Sequence, residues 1–238
     1  KMKQKMAKAL GMQAFVTQLS QDVSQKDLIA TIQKLQSDSA VHGVVIQLPL
    51  PKHIPLTNIL SHLEPSKDVD CLTDSNMGHI VSGSNHLVPP TPGAIYSVLE
   101  SLDVDVVGKH IVIVGTGVLV GKPLAIMLMH SGATVTTCNE YTLELATHTR
   151  QADILISAVG KKHLITMDHV KNGAIVIDAG VDFEHNLMFG DVAYDDVATV
   201  ASHITPTPGG IGPITVARLL YNTVLCAKEQ SEKRRTLQ

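Results

Sequence analysis

Gly115, Gly117 and Gly121 are spaced to bind an anion. They lie in Gly115-Thr116-Gly117-Val118-Leu119-Val120-Gly121, after the apolar run Ile111-Val112-Ile113-Val114 and before a helical pattern entered through Lys122 and Pro123. A strand, a tight glycine turn and a helix N-terminus together cradle a phosphate. Glycine lets the backbone approach the anion, and the unspent N–H groups and the helix dipole attract its charge. The spacing is one residue longer than the usual dinucleotide fingerprint, so context decides. A second strand-like run, Ala133 to Cys138, follows the helix. Glu140 then comes about 20 residues past the last glycine, where a carboxylate can hold the ribose hydroxyls of an adenosine. Gly115, Thr116, Gly117, Val118, Gly121, Pro123 and Glu140 are the expected cofactor contacts. Glu140 favours NAD over NADP, because a carboxylate repels a 2′-phosphate.

The elements around this turn follow an α/β rhythm. In the second half the pattern predicts strands at 111–115, 133–138, 153–158 and 174–178 and near Ile204, with helices at 122–131 and 143–151 and near 166–171. Strands alternating with helices imply a parallel sheet with right-handed crossovers. The first half predicts a helix over 1–10, a strand at Gln13–Leu19 and an amphipathic helix starting at Ser24. A buried strand at Gly43–Leu48 and a helix around Leu56 to Leu63 follow. Pro89-Pro90-Thr91-Pro92-Gly93 reads as a rigid connector into a helix from Ala94, and the last helix is expected over Ile214–Lys228. The expected domains are therefore 1–94 with 214–238, and 95–213, as two α/β domains flanking a cleft. The chain begins at Lys1 within a helical pattern, and a further N-terminal piece is expected before it.

Composition excludes several functions. Of 238 residues, 44% are hydrophobic and 17% charged, which suits a well-buried α/β protein rather than a disordered one. Aromatic content of 3%, without Trp, leaves no stack of rings for reading bases. A net charge of −3 argues further against nucleic acid. The cysteines, Cys71, Cys138 and Cys226, lie far apart with no C-x-x-C, which fits a reducing compartment and argues against a disulfide scaffold or zinc. No histidine pair has metal-ligand spacing, so no metal is expected. No apolar run reaches about 18 residues, so no membrane span is expected and the location is read as cytoplasmic.

Taken together the motifs resemble the methylenetetrahydrofolate dehydrogenase/cyclohydrolases. Val45-Ile46-Gln47-Leu48-Pro49-Leu50-Pro51 matches that family's V-Q-L-P-L-P, and Lys67-Asp68-Val69-Asp70 its K-D-V-D. Pro206-Thr207-Pro208-Gly209-Gly210-Ile211-Gly212-Pro213 matches its P-V-P-G-G-V-G-P, and Gly173 to Asp178 and Gly190-Asp191-Val192 also fit. The resemblance implies two α/β domains, the second Rossmann-like, in a homodimer acting on tetrahydrofolate derivatives with no nucleic-acid or membrane partner. It implies oxidation of a methylene bridge to a cationic methenyl bridge by a nicotinamide cofactor, then hydrolysis to the formyl compound. Lys3 stands eight residues before Gly11-Met12, matching the family's catalytic lysine in Y-x-x-x-K, whose tyrosine would precede Lys1. Gln47 matches the glutamine that tunes this lysine for general acid/base work. Asp70 matches the pterin-binding aspartate, which can accept two N–H bonds from an amino-pyrimidinone edge. Pro208, Gly209 and Gly210 match a loop whose backbone lies close to folate and nicotinamide.

Several positions depart from the family pattern, among them Leu72-Thr73, which replaces a Phe-His pair. Cys71 replaces a glycine after K-D-V-D, Pro90 stands where Cys or Ala is frequent, and Thr116 replaces an Arg or Ala. They keep two alternatives open: a dehydrogenase without the hydrolytic step, and a non-catalytic relative that binds nucleotide or folate.

Overall fold

The computed structural model describes residues 2–185 and 187–236. Contacts divide the chain into two units. Unit 1 takes residues up to Pro90 and those from Val216 onward, and unit 2 takes Thr91–Thr215. In chain order the helices are α1 (Met2–Ala9), α2 (Gln25–Ser37), α3 (Leu56–Leu60), α4 (Asp74–Ser82), α5 (Pro90–Ser101), α6 (Gly121–His130), α7 (Leu145–Thr149), α8 (Tyr194–Val197) and α9 (Ile211–Thr236). The strands are β1 (His110–Val114), β2 (Thr134–Cys138), β3 (Ile154–Ser157), β4 (Ile175–Asp178), β5 (Asp182–Glu184), β6 (Leu187–Phe189) and β7 (His203–Ile204).

Unit 2 is built on a parallel sheet in the order β2-β1-β3-β4-β7. Its registers put Ile111, Ile113, Ile154, Ile156 and Ile177 on one face, buried against Ile95 and Leu99 of α5 and Leu124 and Leu128 of α6. The alternate residues Val112, Val114, Leu155 and Val176 cover the other face with Ile165, Val192 and Val197. Burial on both faces is why these strands read as continuous β-branched runs. The helix entered through the prolines starts at Pro90, not Ala94. Proline suits a helix's first turn, where its missing N–H would have had no partner. For the same reason α9 starts at Ile211 and takes Pro213 into its first turn. The hairpin β5–β6 has no counterpart in the sequence reading. Thr91 and Thr215, the ends of unit 2, are hydrogen-bonded through their hydroxyls at 3.4 Å.

Unit 1 is helical among its described residues. Ser24 caps α2, its hydroxyl accepting from the Asp27 N–H at 3.1 Å. Ala7 of α1 packs on Val216 and Leu220 of α9. The two strands expected here do not form. Gln13–Leu19 runs without a paired neighbour among the described residues and leaves Phe15 82% exposed. Gly43–Leu48 makes one parallel bridge, Val44 to Asp68, and is exposed from Val45 onward in alternate positions. An apolar run becomes a strand only where another strand supplies hydrogen bonds along it, and among the described residues these two runs find one bridge at most.

Candidate active site

The glycine turn in unit 2 leaves its backbone donors unspent. Gly115 turns out of β1 at φ +107. A Cβ there would stand 2.4 Å from the Ala158 carbonyl oxygen, and one at Gly121 would stand 1.8 Å from that of Gly115. Both obstacles are backbone, so neither position tolerates a side chain. Gly117 differs: it is exposed, and nothing lies within 4 Å of where its Cβ would be. The N–H groups of residues 116–121 find no acceptor among the described residues, and Val120 offers no side-chain cap to α6. Pro123 is buried in the first helical turn. Glu140 is exposed at the tip of a turn closed by the Thr142 N–H donating to the Asn139 carbonyl at 3.0 Å. That turn follows Cys138, whose carbonyl accepts from the Gly115 N–H at 2.8 Å. Open backbone donors beside a carboxylate suit the phosphates and ribose of a dinucleotide. In the same unit Pro208 and Gly209 are exposed, Gly209 at φ +107, and the Gly210 N–H donates to Pro206 O at 2.9 Å.

In unit 1 Lys3 and Asp70 are near enough for their charges to interact. Asp70 is partly buried, and burial pushes its carboxyl up to about 6, while the Lys3 charge pulls it down and Asp68 pushes it up. Lys3 lies half-buried on α1. Gln47 is exposed, and its amide donates to the Leu48 carbonyl at 3.2 Å; it makes no hydrogen bond to Lys3 among the described residues. Cys71 holds φ +59, the conformation a glycine would take there without strain. Burial pushes its thiol up, so it stays protonated.

A family model for the tetrahydrofolate dehydrogenase/cyclohydrolase catalytic domain matches residues 1–70, and one for the NAD(P)-binding domain of the same enzymes matches 89–231. The bifunctional protein FolD of Anoxybacillus flavithermus is 45% identical over 97% of this chain and 82% of its own length. The chain belongs to the tetrahydrofolate dehydrogenase/cyclohydrolase family. The crystal structure of the FolD methylenetetrahydrofolate dehydrogenase/cyclohydrolase of Campylobacter jejuni superimposes with a TM-score of 0.90 at 42% identity, over 95% of this chain and 81% of that one. The Trypanosoma brucei FolD enzyme, solved with NADP and an inhibitor, gives 0.91 at 36% identity, over 96% and 80%.

Sequence reasoning missed the residues that hold the family's site segments in place. In Lys67-Asp68-Val69-Asp70 the first aspartate is structural: Asp68 Oδ2 accepts from the Thr73 N–H at 2.7 Å and the Asn76 amide at 3.0 Å. The ammonium of buried Lys67 donates to the Gln36 and Asp38 carbonyls at 2.6 and 2.9 Å. Asn222 of α9 donates to the Val69 and Val88 carbonyls at 2.9 and 2.8 Å, tying down the backbone beside Asp70. In unit 2, Asp178 and Asp191 are buried and accept a set of backbone bonds, and burial raises the Asp178 carboxyl. A glycine next to an acid in Gly190-Asp191-Val192 was the visible signal, but its partners are distant in sequence. No group of three or more His, Cys, Asp or Glu suited to a metal occurs among the described residues, and no helix there is long and apolar enough to cross a membrane.

Proposed function

We propose that this chain oxidises methylenetetrahydrofolate to methenyltetrahydrofolate and hydrolyses that product to 10-formyltetrahydrofolate. The observation that carries this is the charge of Lys3 acting on Asp70 in a chain that also holds a glycine cradle with unspent donors. Asp70 binds the pterin edge through two N–H bonds, for which its carboxyl must be ionised, and the Lys3 charge keeps it so at neutral pH. The cradle of Gly115, Gly117 and Gly121 would hold a nicotinamide dinucleotide, which would supply the hydride acceptor for the oxidation. Hydrolysis then falls to Lys3. Water adding to the bridge carbon releases a proton, and opening the bridge requires one at the pterin nitrogen that leaves. An amine cycling through ammonium serves both transfers and leaves one proton for solvent. Gln47 positions that amine in this reading, and Pro208, Gly209 and Gly210 offer backbone to the ligands.

The test is Lys3→Met, assayed at the nicotinamide and methenyl absorbance bands. Hydrolysis should be lost while reduced cofactor still binds; near wild-type hydrolysis would refute the role. An active dehydrogenase whose wild type never hydrolyses would instead establish the dehydrogenase-only reading, which the Gln47 amide favours by donating to Leu48.

The cofactor in this reading is NAD. Glu140 is exposed, and its position in the sequence, about 20 residues past the last cradle glycine, is the one expected to meet the ribose. Solvent-screened repulsion of a 2′-phosphate there supports a preference on the order of fivefold. Glu140→Arg should reverse it in kcat/KM, and equal values for NAD and NADP in the wild type would end the claim. A homodimer in the cytoplasm completes the proposal. Exposed Phe183 and Leu187 on the β5–β6 hairpin offer an apolar patch for a second copy, and a monomer mass by light scattering would refute the dimer.

A further inference from the structure

Two buried carboxylates support the loops around the cradle, and neither has a cationic side-chain partner among the described residues. Asp191, fully buried, takes four donors. Its Oδ2 accepts from the Ser157 hydroxyl and the Val159 N–H, both at 2.7 Å, and its Oδ1 from the Gly160 and Lys161 N–H groups, both at 2.8 Å. Asp178 in turn accepts from the Gly180, Asp191 and Val192 N–H groups at 3.0, 3.2 and 3.0 Å. Two glycines make room for them. A Cβ on Gly180 would come within 2.1 Å of Asp191 Oδ1, and one on Gly190 within 1.9 Å of Asp178 Oδ2.

The loop that Asp191 grips is the one the cradle rests on. Residues 157–161 leave the carboxyl end of β3, the end of a parallel sheet where ligands bind. The Ala158 N–H donates to Val114 O at 2.8 Å, and its carbonyl fills the space where Gly115 has no side chain. Val159 is 45% exposed beside them. Four N–H and O–H donors converging on two oxygens use the full accepting capacity of a carboxylate. An amide cannot replace it, because its NH₂ would face two N–H or O–H groups.

We propose that Asp191, set in place by Asp178, is a positioning residue for the dehydrogenase step, fixing the 157–161 loop against the cofactor cradle. The inference rests on the dehydrogenase reading above. Its chemistry predicts a split between the two activities, since hydrolysis of supplied methenyltetrahydrofolate needs no nicotinamide cofactor.

The experiment compares wild type, Asp191→Asn and Ser157→Ala in three measurements: reduction of NAD with methylenetetrahydrofolate, hydrolysis of supplied methenyltetrahydrofolate, and Kd for NADH by fluorescence. Asp191→Asn should lower dehydrogenase kcat/KM for NAD by about tenfold or more and raise the NADH Kd, with hydrolysis within about twofold of wild type. Ser157→Ala removes one donor and should move the same two quantities by about threefold. Dehydrogenase kinetics within about twofold of wild type in Asp191→Asn, or equal losses in both activities, would overturn the inference. If Asp191→Asn does not fold, Ser157→Ala decides alone by the same split. A wild type with no dehydrogenase activity would overturn the functional reading instead.

Discussion

Replacing Asp70 with Asn should make the protein more stable and less able to bind folate. Burial lifts the Asp70 carboxyl from an ordinary 3.8 to about 6, against the pull of Lys3. At about 1.36 kcal/mol per tenfold change in proton affinity, holding it ionised costs the fold up to roughly 3 kcal/mol at neutral pH. Asp70 keeps some access to water, so the working figure is about half of that. The sign follows from the raised value. The contribution to stability is whole below about pH 4 and is lost as pH rises through about 6, after which it is flat. Urea unfolding at pH 7.5 should therefore show Asp70→Asn more stable by roughly 1–2 kcal/mol with an unchanged slope, and no gain at pH 4. Folate affinity should fall in the variant at neutral pH, and the difference should shrink as the wild type loses affinity below about pH 6. An equal gain at both pH values, or none at pH 7.5, would refute the reasoning. If the gain in stability and the loss of affinity are both seen, Asp70 trades stability for binding.

Two further substitutions test the backbone of the sites. Gly121→Ala puts a Cβ 1.8 Å from the Gly115 carbonyl oxygen, so it should destabilise by more than about 2 kcal/mol and abolish NADH binding in a fluorescence titration; wild-type affinity would show that the turn relaxes freely. Cys71→Val keeps the side chain's bulk but branches it at φ +59, so urea unfolding should show a loss of about 2 kcal/mol, whereas Cys71→Gly trades lost packing for relieved strain and should stay within about 1 kcal/mol of wild type.

Local patterns identified the strands of unit 2 and the first helices of unit 1, and misread two strands in unit 1. The strands of unit 2 are buried on both faces and carry runs of Ile and Val, and the turn between β1 and α6 is written in adjacent residues, so local pattern sufficed. Gln13–Leu19 carries the same local signal and forms no strand, because pairing depends on a neighbour that a local pattern cannot supply. Lys3 and Asp70 became visible through family motifs, since a lone lysine on a helix has no local signature of chemistry. The supports stayed hidden for a third reason. Asp191 reaches back to 157–161 and Asn222 to Val69, and each looks like an ordinary polar residue until the chain has folded.

The hydroxyl contact between Thr91 and Thr215 bears on how the protein is made. Unit 1 is split in sequence, with all of unit 2 inserted between its parts. An unfolded insertion of that length would be an entropically costly loop to close. Once unit 2 has folded, its two ends lie side by side, and the loop that unit 1 must close is short. Synthesis favours the same order, because α9, whose Asn222 and Gln230 bond to residues 42, 66, 69 and 88, emerges after unit 2. Unit 2 should therefore fold while the chain is still growing, and unit 1 only after α9 is released.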